Sequence, residues 1–226
     1  MLIINAAPFD PFFSNVSLLL LGNGANGSTT IIDSSPSPKT VTAVGNAQIS
    51  TVQSKFGGAS IAFNGTNSRI ESASNIAFNF GTGNFTIEFW CYLNSTGNQV
   101  FYETQLSGGT GSRNNGFVFL LFNGKLNIFS FSSFKGASNT SITIRTWHHI
   151  ALVRVGSTNT WTYYLNGNSD GSFIHSINLL DQGFMCGRLT DVVDYFLNGY
   201  IDNLRITKGV ARYTANFTPP TEFFVN

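Results

Sequence analysis

The sequence predicts an all-β fold, and three observations carry that prediction. Phe85–Leu93 alternates at period two, with Phe85, Ile87, Phe89, Cys91 and Leu93 on one face and Thr86, Glu88, Trp90 and Tyr92 on the other. Successive side chains of a strand point to opposite sides of a sheet, so this run reads as a central strand with one apolar face. Asn123-Gly124 and Asn166-Gly167 each stand between β-prone runs. Asn-Gly there favours a two-residue type I′ hairpin, whose two central residues need positive φ. The composition agrees: 22 Phe and 23 Gly with only 10% charged residues suit strands joined by tight polar turns, not helices.

Each further element follows in order. Residues 1–14 form an apolar arm in which Pro8 and Pro11 discourage regular pairing. Val16–Leu21 is a continuous apolar strand, expected to be buried on both faces. Gly22–Gly27 matches Gly-x-Gly-x-x-Gly in letters, but β-prone Ser28–Ile32 follows where a nucleotide site needs a helix N-terminus, so that reading is rejected. Asp33–Pro38 is a turn-rich loop. Short strands are expected at Thr40–Val44, Ala47–Val52, Ser60–Asn64 and Ser68–Glu71. The second face of Phe85–Leu93 is aromatic and only partly polar, which implies a cover over it or a ligand stacked on it.

Phe117–Phe122 and Lys125–Phe131 form the first Asn-Gly hairpin. In Trp147–Val155, Trp147, His149, Ala151 and Val153 share one face, and His148, Ile150, Leu152 and Arg154 share the other. Trp161–Tyr164 leads into the second hairpin. Ser176–Leu180 and Gly183–Leu189 read as short strands. In the closing strand, Gly199–Ile206, Ile201 and Leu204 are out of phase, which predicts a bulge or two-sided burial. The tail, with Phe217, Pro219-Pro220, Phe223 and Phe224, is expected to fold back over the sheet as an extended segment. No fixed-period repeat or linker interrupts the chain, so residues 15–226 read as one domain, a size common for all-β folds.

The totals also exclude function classes. Formal net charge is +1 and no Lys/Arg cluster occurs, so the electrostatic footprint for nucleic acid is missing. Leu18–Leu21 is too short to span a membrane, and Met1–Asn5 lacks the features of a signal peptide, so neither membrane insertion nor secretion is expected. Hydroxyl and amide groups do the solvating, and they match a sugar better than a phosphate. Cys91 and Cys186 read as two buried thiols acting as small hydrophobes, with a disulfide between them left open.

Four phrases now stand in order: Phe-Thr-Ile-Glu-Phe-Trp (85–90), Trp147–Arg154, Tyr164-Leu165-Asn166-Gly167 and Gly199–Ile206. Together they resemble the laminin-G-like, concanavalin A-like jelly-roll family over about residues 15–210. The resemblance implies a two-sheet antiparallel jelly-roll sandwich, the concanavalin A-like lectin/glucanase fold. Ser14–Asp33 and Lys208–Pro220 look like versions found in tailed-bacteriophage virion proteins, especially tail-fibre and adhesin modules. That narrower likeness implies a virion location, other virion proteins as partners, and a closed homo-oligomer such as a trimer. Relatives usually carry an aspartate where Asn23 stands, and an acidic residue there helps to hold a structural calcium. Asp33 and Asp202 remain as candidate ligands, one charge short, so calcium is admitted but not required. No other cofactor is implied.

Chemistry is sparse. A glycosidase needs two carboxylates flanking the bond, and Glu88 has no acid at i±2 or i±4. There is no Gly-x-Ser-x-Gly elbow, and His148 and His149 face opposite ways. Two loops offer recognition instead. Ser107–Asn115 carries Arg113, Asn114 and Asn115, and Asp191–Tyr195 carries Asp191, Asp194 and Tyr195. Loops on a rigid sandwich commonly carry binding residues; rings stack on sugar C–H faces while Asn and Asp bond hydroxyls. The plain alternative is that these are solvated turns. The expected function is therefore a non-enzymatic phage virion module of the tail-fibre or adhesin type that binds a host cell-surface glycan. The alternative is a structural capsid decoration or baseplate component docked through residues 1–14.

Overall fold

The computed structural model describes residues 10–104, 115–180, 183–190 and 194–224. Two eight-stranded antiparallel sheets face each other, as the phrase pattern implied. In the first, β7 (Phe85–Leu93) is central. One side of it pairs with β12 (Trp147–Val155), then β13 (Thr160–Leu165) and β14 (Asn168–Ile174). The other side pairs with β16 (Asn198–Lys208), which in turn pairs with β5 (Ser60–Asn64) and, at its far end, with β1 (Val16–Leu20). β4 (Gln48–Ser50) completes this sheet beside β5.

The second sheet runs in the order β11 (Ser133–Ser141), β10 (Lys125–Ser130), β9 (Val118–Phe122), β8 (Gln99–Glu103), β15 (Phe184–Cys186), β6 (Arg69–Ser72), β3 (Val41–Val44) and β2 (Thr30–Ile31). Among the described residues, helix is confined to two 3-10 turns, Phe13–Asn15 and Ile76–Phe78.

Period-two alternation places the core where the sequence put it. Phe85, Ile87, Phe89, Cys91 and Leu93 all enter the cluster between the sheets. Rings interlock there: Phe85 lies 5.7 Å from Phe117, and Trp161 stands edge-on to both at 5.1 Å. Offset and edge-to-face ring pairs add to plain burial. Cys91 and Cys186 are both free and buried in this core. Asn123-Gly124 and Asn166-Gly167 have φ of 51° and 78°, and of 50° and 81°, as type I′ turns require.

The closing strand carries its expected bulge. Its register against β7 shifts between Asp202 and Arg205, with Asn203 at φ 55°. The extra residue lets Ile201 and Leu204 both reach the core.

One strand expectation needs correction. Ser176–Leu180 is not a strand; it makes one isolated bridge, Gly81 with Leu179. Its Ile177 carbonyl accepts from Arg154 Nη2 at 2.8 Å, a bond a ladder partner would otherwise take. Conversely, β11 is a strand that no pattern announced. It is an edge strand with mostly exposed side chains, so no apolar alternation was needed to form it.

Chain covers Thr86, Glu88 and Trp90 on the polar-aromatic face of β7, through Arg212, Tyr213 and Phe56, while Tyr92 stays half-buried beside Trp147 and Tyr200. Ala211, Tyr213 and Phe217 close over Ala151, Val153 and Tyr164. Phe224 closes over Val16 and Leu19, joined by Phe13. Beneath this cover lies a sealed ionic cluster, in which Asp10 accepts from Arg212 at 3.0 and 2.8 Å and from Arg205 at 3.1 Å.

Candidate functional site

Glu88 is the strongest catalytic carboxylate the sequence offers, and the fold seals it. It is fully buried. Arg205 donates to Oε1 from Nε at 2.9 Å and Nη2 at 2.8 Å, and the Tyr213 hydroxyl donates to Oε2 at 2.7 Å. Burial alone would push this carboxyl up; the Arg205 guanidinium, with His149 and Arg212 behind it, holds it at about 2. A carboxylate so low, enclosed and saturated suits structure rather than proton transfer. His149 is also fully buried, between Trp90 and Phe217. His148 on the opposite side bonds Thr143 and Asn166.

The two calcium candidates stand apart in their bonding. Asp33 Oδ1 accepts from the Leu19 and Ser35 amides at 3.0 and 2.9 Å; Oδ2 accepts from the Lys39 amide at 2.7 Å and the Ser35 hydroxyl at 2.9 Å. It is saturated as a loop cap. Asp202 Oδ2 accepts from the Lys55 and Phe56 amides at 2.7 and 3.0 Å, while Oδ1 is buried without a described partner. Burial raises its carboxyl to about 6, against those amides and the Lys55 charge. The Lys55 ammonium itself lies 4.0 Å from the Trp90 ring centre. Calcium needs several hard oxygens, yet no group of three or more His, Cys, Asp or Glu stands together among the described residues. Asp33 has no oxygen left to offer a calcium, and Asp202 faces the Lys55 charge.

Of the binding candidates, Arg113, Asn114 and Asp191 lie outside the described residues. Asn115 is exposed just before β9. Asp194 and Tyr195 come together at the other end of that strand, roughly 17 Å away at a rise of about 3.4 Å per residue. They line a polar pocket of about 290 Å³ with Gly65, Ser95, Gly97, Asn98, Gln99, Phe196 and Asn198. The pocket sits on the rim, where turns of both sheets meet.

Local bonding fixes its walls. Tyr195 is held at φ 58°, its amide on Asp194 Oδ1 at 2.8 Å and its carbonyl on the Val100 amide at 3.1 Å. Gln99 forms the buried floor: its amide group donates to the Ser95 carbonyl at 2.7 Å and its oxygen accepts from the Asn198 amide at 2.8 Å. Asn98 Oδ1 accepts from the Asn123 amide at 2.9 Å. Gly65 has φ +78°, and a Cβ there would come within 2.8 Å of Asn198 Cβ, so only glycine lets this wall approach. Ser95, Asn98, Gln99 and Asn198 were not anticipated. The available signal was the polar run Asn94–Asn98 between two β-prone stretches, one of many in an Asn-rich chain.

With this geometry in view, residues 64–212 match the family described as the concanavalin A-like lectin/glucanases superfamily. The chain belongs to that superfamily. Among curated proteins no sequence match is found for this lectin/glucanase-like chain. Solved structures share its fold at low identity. The binding domain of botulinum neurotoxin serotype D is similar at TM-score 0.62 and 15% identity, covering 89% of this chain and 50% of that one. The serotype C1 binding domain is similar at TM-score 0.64 and 14% identity, over 88% and 50%. Domain 4 of AbnA, a GH43 extracellular arabinanase from Geobacillus stearothermophilus, solved in complex with arabinotriose, is similar at TM-score 0.61 and 17% identity, over 86% and 93%. The chain thus spans about half the length of the neurotoxin binding domains it matches.

Proposed function

We propose that this domain is a non-catalytic glycan-binding module, an adhesin of the tail-fibre type on a phage particle, and that the rim pocket at Asp194–Asn198 holds the glycan. The pocket is the observation that carries this reading. Its volume is close to the low end of the roughly 300–1,000 Å³ usual for small-molecule sites. Amide and carboxylate groups converge in it on a rigid rim, which suits hydroxyl-rich ligands. Among the described residues one carboxylate lines it, where glycoside cleavage needs two. AbnA domain 4, with its arabinotriose, and the neurotoxin binding domains support the reading by analogy of fold.

The test is binding of the full chain to a glycan array and to host cells, with Asp194→Ala and Asn98→Ala alongside. Loss of binding in both variants at unchanged melting temperature supports the pocket. Binding that survives both places the site elsewhere, and no binding to any surface sinks the module. A docking role for the arm is separable. Removing residues 1–9, which spares Asp10 and its guanidinium partners, lowers occupancy on particles if the arm docks the protein there.

A further inference from the structure

We infer that the ligand is an uncharged oligosaccharide, with one sugar in the rim pocket and the next lying over a row of aromatic rings beside it. This rests on the glycan reading of that pocket and adds the class and length of the ligand.

Charge gives the class. The described lining residues include one carboxylate, Asp194, and no Lys, Arg or His. A carboxylate or sulfate on the ligand would meet the exposed Asp194 with no described cation lining the pocket to offset it, and like-charge juxtaposition disfavours binding. The polar groups suit hydroxyls instead. Asp194 Oδ1 is occupied by the Tyr195 amide, and Oδ2 accepts from no described residue. Asn98 has its oxygen on Asn123, which turns its NH₂ into the available donor. A sugar hydroxyl both donates and accepts, so it can satisfy the two together.

The rings give the length. Tyr195 belongs to the pocket and meets Phe122 edge-on at 6.3 Å. Phe122 lies 4.4 Å from Phe134, and Phe134 lies 5.3 Å from Phe129. Phe134 is 43% exposed. The row runs across β9, β10 and β11 on the outer face of the second sheet. It joins the pocket at a second point as well, because Asn98 holds the residue that follows Phe122. An apolar strip contiguous with a polar pocket matches a saccharide, which offers C–H faces and hydroxyls in alternation.

The full chain would be titrated calorimetrically with neutral trisaccharides (maltotriose, chitotriose, arabinotriose) and with acidic ones (3′-sialyllactose, trigalacturonate). The inference expects at least one neutral trisaccharide to bind and the acidic ones to bind more weakly. Affinity for the neutral ligand should change little between about 50 and 500 mM salt, since no ion pair is formed. Phe134→Ala should weaken the trisaccharide about two- to tenfold, the loss of one ring contact, and leave the matching monosaccharide unchanged. Tighter binding of an acidic sugar, or trisaccharide affinity indifferent to Phe134→Ala, overturns the inference while the glycan reading survives. Failure of every saccharide overturns both.

Discussion

Arg205 and Glu88 face each other across paired positions of β16 and β7, and two guanidinium nitrogens of Arg205 converge on a single Glu88 oxygen at 2.9 and 2.8 Å. The other Glu88 oxygen takes the Tyr213 hydroxyl, and Arg205 reaches on to Asp10. Three segments far apart in sequence are thereby fixed under one cover.

Glu88→Gln leaves Arg205 and Arg212 buried with Asp10 as the remaining carboxylate. Breaking a buried charge pair from one side costs about 3–5 kcal/mol, and urea unfolding of the variant should show that loss. The gap should also narrow in acid. Glu88 is held low when folded, so its contribution is present above its ordinary 4.5 and is lost as pH falls toward about 2. A gap below about 1 kcal/mol at pH 7 would show that the cluster is ornamental to stability.

Asp202 behaves in the opposite sense. Its folded carboxyl is raised from 3.8 to about 6, so its contribution is complete below about pH 4 and is lost as pH rises through 6. Asp202→Asn keeps an acceptor for the Lys55 and Phe56 amides without the charge. The variant should be more stable than wild type at pH 7 by roughly 2–3 kcal/mol, two pH units at about 1.4 kcal/mol each, and equal to it near pH 4. The difference curve is the proper measurement, because His148 and His175, both lowered by burial, tilt the absolute profile the other way as acid charges them on unfolding.

Gly167→Ala should loosen the C-terminal cover. Gly167 has φ +81°, and a methyl there runs into the Phe217 carbonyl oxygen. Its own carbonyl accepts from the Phe217 amide at 2.8 Å. The left-handed backbone alone costs about 1–2 kcal/mol for a non-glycine residue, and the clash adds to it. Limited proteolysis should cut the segment around Phe217 sooner in the variant than in wild type.

Neither thiol should react in the native protein. Cys91 and Cys186 are fully buried in apolar surroundings that push both thiols up, away from the reactive thiolate. Ellman's reagent should find no thiol natively and two after denaturation. Early labelling of one would reveal local opening of its strand.

What was legible in the sequence was whatever short-range pattern controls. The faces of Phe85–Leu93 and Trp147–Val155, the two Asn-Gly turns and the bulge after Ile201 follow from alternation and from φ preferences of neighbours. β11 was hidden because an edge strand with solvated sides carries no such alternation. The pocket was half legible: Asp194 and Tyr195 advertise themselves as an acid beside an aromatic. Asn98 and Asn198 do not, since a hundred residues separate them and only the sandwich brings their turns to one rim. Asp10 was hidden for the same reason, its partners lying beyond residue 200.

Asp10 and Phe224 both settle against Arg205, on the outer face of the first sheet, while Phe122 and Phe134 line the outer face of the second. Residues 10 and 224 therefore lie on the side turned away from the ring row. A pull between the ring row and residues 10 and 224 would load the domain across its thickness, through the oily seam between the layers. Hydrogen bonds in the ladders lie crosswise to that force. Resistance to such a pull would then come from the interlocked phenylalanines and tryptophan between the sheets.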